Sequence, residues 1–175
     1  SGVYSLTVTF PGTGCSSTVS TTTAVTVNAV PTITSVSASP TLLCIGSTIS
    51  LSATGVTGFS GSPTYAWTGP NSYSSAATAP SFTASVTAAS GVYSLTVTYP
   101  GTGCTSAVST TTAVTVNAVP TISSVSASPT LLCVGSTISL SATGVTGFSG
   151  SPTYAWTGPN SYSSAATAPS FTASV

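Results

Sequence analysis

The chain has 175 residues, contains no Asp, Glu, Lys, Arg or His, and carries a formal net charge of zero at pH 7. General acid–base catalysis needs a side chain that titrates near neutrality, and a serine nucleophile needs an adjacent base, so the composition predicts that the protein is not an enzyme. Calcium and magnesium sites draw on carboxylates, and nucleic acids and anionic membranes attract Lys and Arg. We therefore expect no metal, no other cofactor, no nucleic-acid partner and, without a long apolar run, no membrane insertion.

Apolar residues alternate with Ser and Thr along the chain with a period of two, which predicts short β-strands. β-branched and aromatic residues favour strands, and turn signals rich in Gly, Pro and Asn separate the alternating segments. About seven such segments in roughly 90 residues are typical of an immunoglobulin-like β-sandwich, so we predict an all-β fold of tandem sandwiches without helices. In chain order the alternating residues are Ile49, Leu51 and Ala53, then Tyr65 and Trp67, then Phe82, Ala84 and Val86, then Tyr93, Leu95 and Val97, and finally Val114 and Val116.

The second half of the chain repeats the first half with an offset of 89 residues. Residues 1–86 and 90–175 differ at five positions, and every exchange is mild. Near-identical modules indicate a piece of an array, whose role is length, spacing or surface display. The differing pairs are Phe10/Tyr99, Ser16/Thr105, Thr18/Ala107, Thr34/Ser123 and Ile45/Val134.

Two identical Asn-Ala-Val-Pro segments, at 28–31 and 117–120, predict the boundaries between modules, because Pro resists strand continuation and stiffens a joint. One complete module is predicted at 30–118, preceded at 1–29 by the last two strands of another module and followed at 119–175 by the first five strands of a third. Either all modules belong to one longer polypeptide, or separate subunits complete each other's modules by strand complementation. The near-identity of the repeats favours the longer polypeptide, and neither open half is expected to be stable alone.

Four segments match, in order, a pattern of a known family: Cys44–Gly46, Tyr65–Asn71, Gly91–Val97 and Gly103–Cys104. In this pattern the module resembles the immunoglobulin-like and polycystic-kidney-disease-like tandem repeats of giant secreted surface adhesins of Bacteroidetes, which are often exported by the type IX system. The resemblance covers the whole module and implies the same fold and an extracellular location. Two departures are that Ser72 stands where Gly is usual and that the turns lack acidic residues, which argues against ion binding.

Tyr4, Trp67, Tyr93 and Trp156 are predicted to be core anchors. A Tyr-x-Trp segment in a strand is typical of a buried anchor, although an exposed Trp would instead suit a stacking platform for a ligand. Tyr4 and Tyr93 come just after a Ser-Gly pair and fit a tyrosine corner, in which the hydroxyl fastens the preceding loop.

Cys15, Cys44, Cys104 and Cys133 are the only groups with reactive chemistry. One module supplies two thiols and no His, which is too few for a metal site, and no short Cys-x-x-Cys redox motif occurs. Structural disulfides are expected in an extracellular chain. Pairing of Cys44 with Cys104 is slightly favoured because each module carries one cysteine of each kind. A standard sandwich, however, places Cys44 and Cys104 at opposite poles, roughly 20 Å apart, which is too far for a disulfide. The alternative is therefore a bridge from Cys44 to the last-hairpin cysteine of the next module.

These features predict a structural repeat of a secreted, cell-surface fibre, stalk or adhesin shaft that gives reach and mechanical stability. The expected partners are further copies of the same module, joined end to end and laterally, because an uncharged surface favours association. Outward Ser and Thr hydroxyls are candidate sites for O-linked glycans. The alternative function is an ice- or carbohydrate-binding module that uses outward faces such as Thr7 and Thr9 or Ser109–Thr112.

Overall fold

The computed structural model describes residues 1–58, 61–148 and 150–174. These residues form nineteen short β-strands, and their only helical part is a 3₁₀ turn at Thr87–Ala89. The predicted all-β fold of tandem β-sandwiches is therefore confirmed. Within the described ranges, no helix has the length and apolar character needed to cross a membrane.

Residues 30–118, called the central module here, form a closed two-layer sandwich. Its strands are β5 (Ser35–Ser39), β6 (Leu42–Cys44), β7 (Thr48–Thr54), β8 (Thr64–Gly69), β9 (Tyr73–Ser75), β10 (Ser81–Thr83), β11 (Ser94–Tyr99), β12 (Cys104–Thr105), β13 (Ser109–Thr110) and β14 (Thr115–Asn117). One sheet has the order β10-β7-β5, and the other has the order β9-β8-β11, with β12 and β13 both paired to the free side of β11. The last strand, β14, pairs in parallel with β6.

Residues 1–29, called the leading hairpin, and residues 119–175, called the trailing half, flank the central module. The leading hairpin contains β1 (Ser5–Leu6), β2 (Thr9–Phe10), β3 (Cys15–Ser16) and β4 (Ser20–Thr21). The trailing half contains β15 (Ser124–Ser128), β16 (Thr137–Thr143), β17 (Trp156–Thr157), β18 (Ser163–Ser164) and β19 (Ser170–Thr172). Each flank has the same strand register as the central segment with the matching sequence. In the trailing half, β15 pairs with β16 as β5 pairs with β7. In the leading hairpin, β1 pairs with β4 as β11 pairs with β13.

Strand β7 shows how the period-two pattern produces the sandwich. Ile49 and Leu51 point into the core and are 0% and 1% exposed, while Ser50 and Ser52 between and after them face solvent. A β-strand directs successive side chains to opposite faces, so alternation of apolar and hydroxyl residues buries one face of the sheet and hydrates the other.

The hydrophobic core lies between the two sheets of the central module. Its buried members all fall between Ala38 and Val116, and none belongs to either flank among the described residues. Aromatic rings close one side of it, where Tyr73 stacks on Phe82 with ring centroids 4.1 Å apart and meets Tyr93 edge-on at 5.5 Å. Such offset and edge-to-face pairs stabilise the core beyond their buried area.

The turn after β8 depends on backbone conformations that few residues adopt. Asn71 and Ser72 both have positive φ, 54° and 56°, so Ser72 takes the left-handed conformation that Gly adopts without steric cost. Just before them, Gly69 packs directly against the ring of Tyr93, where any side chain would collide with the ring. This close approach lets the turn cover the buried tyrosine.

Candidate assembly surfaces

Trp67 lies on β8 in the middle of the core and is 1% exposed. Its backbone is opposite Leu95 on β11, and its indole N–H donates a hydrogen bond of 3.1 Å to the carbonyl oxygen of Ala77. A buried ring with a satisfied donor has no free face on which a ligand could stack. In the central module this residue is a core anchor.

Tyr93 fastens the loop that precedes β11. Its side chain is fully buried, and its hydroxyl donates a hydrogen bond of 2.6 Å to the carbonyl oxygen of Ala89, the last residue of the 3₁₀ turn. Burial, and to a smaller extent the neighbouring Tyr73, raises the pKa of Tyr93, because the ionised phenol would lose its hydration. This is the arrangement that the tyrosine-corner hypothesis described.

Tyr4 and Trp156, the counterparts of these anchors, have different surroundings. Tyr4 is 60% exposed and belongs to no core in this structure. Trp156 is half-buried, although it keeps the same indole hydrogen bond, 3.0 Å long, to the carbonyl oxygen of Ala166. The hydrogen bond of Trp156 is thus the same as that of Trp67. The difference between the two residues is how much of the ring is covered by other strands.

Two hydroxyls inside the central module were not identified by sequence reasoning. Ser106 and Thr111 are buried, and each accepts a hydrogen bond from a backbone N–H: Ser106 from Val97 on β11 at 3.0 Å, and Thr111 from Tyr93, just before β11, at 3.1 Å. Each side chain thereby takes the place of a ladder partner: Ser106 interrupts the edge between β12 and β13, and Thr111 ends β13. The signal in the sequence is the loss of strict alternation after Cys104.

Buried Thr111 also changes the interpretation of the Ser109–Thr112 segment. The alternative function needed this run of hydroxyls as a flat outward face. Because Thr111 is 6% exposed and bonded on both sides, to Tyr93 and to the carbonyl of Thr112 at 2.8 Å, the segment does not present such a face.

An outward array of hydroxyls lies instead on β5, β7 and the isolated Thr32–Thr57 bridge beside them, and we call it the hydroxyl strip. It consists of three exposed cross-strand pairs whose oxygens are 2.7–2.9 Å apart, Ser35 with Thr54, Ser37 with Ser52 and Thr32 with Thr57. The trailing half repeats all three pairs with the same distances. Cross-strand hydroxyl pairs stabilise a sheet without charge, which suits a chain that has none.

The four cysteines, Cys15, Cys44, Cys104 and Cys133, are all free thiols in this structure. The expectation of a disulfide between Cys44 and Cys104 is wrong. Cys44 ends β6 opposite Asn117, at the pole where the chain leaves the module, while Cys104 lies opposite Tyr99 in the hairpin at the other pole.

The strand register explains why these two thiols cannot meet. From Tyr99 to Gly91 the chain extends eight residues, and Gly91 bridges Val114, which lies three residues before Asn117. Eleven residues of extended strand correspond to roughly 36 Å. The Cα atoms of a disulfide are within about 7 Å of each other. Pairing across a joint would require the last hairpin of a following module and stays a prediction.

The joint between the central module and the trailing half is short. Asn117 is the last residue of β14, and Thr121 already exchanges two hydrogen bonds with Thr146 of the next module, at 2.9 and 3.0 Å. Three residues connect these two fixed points. A groove at this joint is lined by Leu42 and Cys44 on one side and by Phe148 on the other.

The residues that the structure describes include no cluster of side chains of the kind that holds a metal ion. No group of three or more His, Cys, Asp or Glu residues occurs there. Every buried side-chain nitrogen or oxygen in these ranges has a hydrogen-bond partner, so no polar atom is left pointing at a missing ligand.

Comparisons with known proteins add little to this description. No protein-family model and no curated protein matches the chain. Among solved structures it is similar to three N-terminal domains of the bacteriophage RB49 Highly Immunogenic Outer Capsid protein (Hoc), with a TM-score of 0.36 and 16% identity over 82% of this chain and 48% of that chain. The chain thus spans about half the length of that structure, and a similarity at this level carries no argument about function. The fold and the repeat define the class: this is a tandem-repeat β-sandwich protein.

Proposed function

We propose that the protein is a structural repeat of an extracellular fibre, stalk or adhesin shaft and that it has no enzymatic activity. The observation that carries this proposal is the joint. Three residues between Asn117 and Thr121 span at most about 14 Å across the four intervening peptide bonds, which is too short for a free linker between domains. A connection of this length, stiffened by Pro120, joins successive sandwiches pole to pole.

The repeated surface supports the same proposal. The hydroxyl strip recurs at an offset of 89 residues with the same pairings, so each module offers the same surface as its neighbour. A single binding or catalytic site would need an irregular feature, and the repeated segments 1–86 and 90–175 differ only by five mild exchanges. Repetition of one surface suits a shaft, whose function is reach.

A secreted, cell-surface location is part of this proposal. It is supported by the resemblance of the Tyr65–Asn71 and Gly91–Val97 segments to repeats of secreted Bacteroidetes adhesins and by the suitability of an uncharged, hydroxyl-covered surface for a solid-phase material. The partners are further copies of the module, and O-linked glycans on exposed Ser and Thr are compatible with it.

Force spectroscopy on the native assembly tests the shaft. Each unfolding event should release one module of 89 residues, which adds roughly 300 Å of extended chain. Electron micrographs of the same material should show unbranched rods with a regular axial repeat. Unfolding steps of irregular length, or compact particles without an axis, would contradict the proposal.

A second candidate function is favoured by one observation, the hydroxyl strip. Its regular, exposed, uncharged oxygens suit recognition of ice or of a carbohydrate. The test is to measure ice recrystallisation and binding to a glycan array before and after Ser37→Ala with Ser52→Ala, with Thr105→Ala outside the strip as the control. Saturable binding that is lost only in the strip variant would favour this function over the shaft.

A further inference from the structure

The chain enters the central module at one pole and leaves it at the other. At the entry, Val30 lies against Gly58, where a side chain would collide with the Val30 carbonyl oxygen. Gly61 packs against the ring of Tyr99, so this entry lies at the pole of the Tyr99 hairpin. The exit is Asn117, the last residue of β14, at the opposite pole. Tension along a shaft therefore pulls the two ends of the module in opposite directions.

One short pair of strands connects these two ends directly. Strand β6 follows β5 from the entry, β14 leads to the exit, and the two pair in parallel over three residue pairs. At the start of the pair, the backbone N–H of Thr115 donates a hydrogen bond of 2.8 Å to the carbonyl oxygen of Thr41. At its end, the N–H of Ile45 donates a hydrogen bond of 2.9 Å to the carbonyl oxygen of Asn117.

The parallel direction of the pair decides how tension loads these bonds. Both strands run from the entry pole towards the exit pole, so tension pulls β6 back towards the entry and β14 on towards the exit. The hydrogen bonds run across the strands and connect two segments that are pulled along their own axes. They are therefore loaded in shear and have to break together. Force on two adjacent strand ends would instead open the bonds one after another.

The surroundings of β14 prevent it from peeling away sideways. On the side away from β6, the N–H of Val116 donates a hydrogen bond of 2.9 Å to the hydroxyl oxygen of Ser90. Val114, just before the strand, exchanges two hydrogen bonds of 2.8 Å with Gly91. The side chains of Val114, Val116 and Leu43 are buried, which shields the pair from water that would replace its bonds. Sliding along β6 is thus the path by which tension can extract the strand.

We propose that the β6–β14 pair is the mechanical clamp of the module, that is, the strand pair that keeps the module closed under tension along the shaft. This inference rests on the proposed shaft function and names the part of the module that carries its load. The clamp has a directional signature. The module should resist strongly when it is pulled by its two ends and weakly when the same pair is opened from one end.

Force spectroscopy on the full chain in two pulling directions tests the clamp. Both experiments use a variant in which Cys44 is retained and the other three cysteines are replaced by Ser. Handles at the two chain termini load the pair in shear. Handles at Cys44 and at the C terminus instead pull on adjacent ends, because Cys44 lies opposite Asn117 at the exit end of the pair. The force that unfolds the central module should be at least about threefold lower in this second direction.

The bond at the end of the clamp is tested by Ile45→Pro, with Ile45→Ala as its matched control. Both substitutions remove most of the partly buried side chain, but only Pro removes the N–H that bonds to Asn117. With handles at the termini, Ile45→Pro should unfold at about half the force of Ile45→Ala. Urea unfolding of both variants verifies that the central module is folded. The comparison of pulling directions needs no change in the clamp and decides the matter if Ile45→Pro does not fold.

Two results would overturn the inference: equal unfolding forces in the two directions, or equal forces for folded Ile45→Pro and Ile45→Ala. These failures can be told apart from failure of the shaft function. Rods with a regular axial repeat in the native material, together with equal forces, would show that shafts exist but that another part of the module carries the load. A force that depends on direction, without rods, would support the clamp and contradict the shaft.

Discussion

The central module and the trailing half have nearly the same sequence over 57 residues, since 30–86 and 119–175 differ only at Thr34/Ser123 and Ile45/Val134. Both form the same pairing between their first two long strands, with Val36 opposite Ala53 in one and Val125 opposite Ala142 in the other. Burial is nevertheless confined almost entirely to the first of them. The comparison teaches that local sequence determines the register of the long strands. The core, β6 and most of β8 form only in the module whose last two strands are in place.

The largest difference between the two regions is expected at tryptophan. Trp67→Ala removes a fully buried ring from a closed core and should destabilise the central module by about 3–5 kcal/mol. Trp156→Ala removes a half-exposed ring and should change the unfolding free energy of dilute, unassembled protein by less than about 1 kcal/mol. Urea unfolding followed by circular dichroism measures both values, and similar losses would mean that the two rings have similar surroundings.

A buried hydroxyl should show a smaller difference. Thr111→Val leaves the backbone N–H of Tyr93 without its partner inside the protein and should cost about 1–3 kcal/mol. Thr22 makes the same bond to Tyr4 but is exposed, so water can replace it, and Thr22→Val should cost less than about 0.5 kcal/mol. Equal costs in urea unfolding would show that Thr111 is accessible to water.

Tyr93→Phe removes the hydrogen bond to Ala89 and should cost about 1 kcal/mol at neutral pH, whereas Tyr4→Phe should have almost no effect. The pKa of Tyr93 is raised in the folded state, so above pH 10 the unfolded chain ionises first and binds fewer protons than the folded chain. Stability should therefore be flat from about pH 5 to 9 and fall as pH rises through the unfolded pKa of 10.

Thermal unfolding at several alkaline pH values measures this dependence. Tyr93→Phe should make the alkaline decrease less steep, with the part due to the raised pKa of Tyr73 remaining. A variant that keeps the full slope would show that Tyr93 does not contribute to it.

The smallest expected effect is that of salt. No side chain in either region is charged at neutral pH, so screening by NaCl between about 0.01 and 0.2 M has nothing to act on. The unfolding midpoint of the central module and the extent of assembly should both stay the same over this range. A clear dependence of either quantity on salt would point to charge introduced by a modification or by a bound partner.

The sequence was sufficient to predict the strands and the anchors of the closed module. Ile49, Leu51, Leu95 and Val97 alternate with hydroxyl residues, and that pattern gives both the fold class and the inward face. Trp67 lies where its motif indicated. These features depend on neighbours along the chain, so a linear pattern contains them.

Other features depend on neighbours in space, and the sequence did not reveal them. The position of Cys44 follows from the parallel pairing of β6 with β14, which joins residues more than seventy positions apart. The burial of Ser106 and Thr111 follows from a break in an edge strand and not from their residue types. Tyr4 has the same neighbours in sequence as Tyr93, yet it is exposed because its covering strands lie outside its own segment.

Hydrogen exchange on dilute, unassembled protein tests most directly whether completion of the module creates the core. Peptides from the two regions can be told apart by mass, because residues 5–10 end in Phe10 where 94–99 end in Tyr99, and residues 42–51 contain Ile45 where 131–140 contain Val134. We predict slow exchange in 94–99 and 42–51 and fast exchange in 5–10 and 131–140. Equal protection of the paired peptides in the unassembled protein would contradict the dependence of the core on the completing strands.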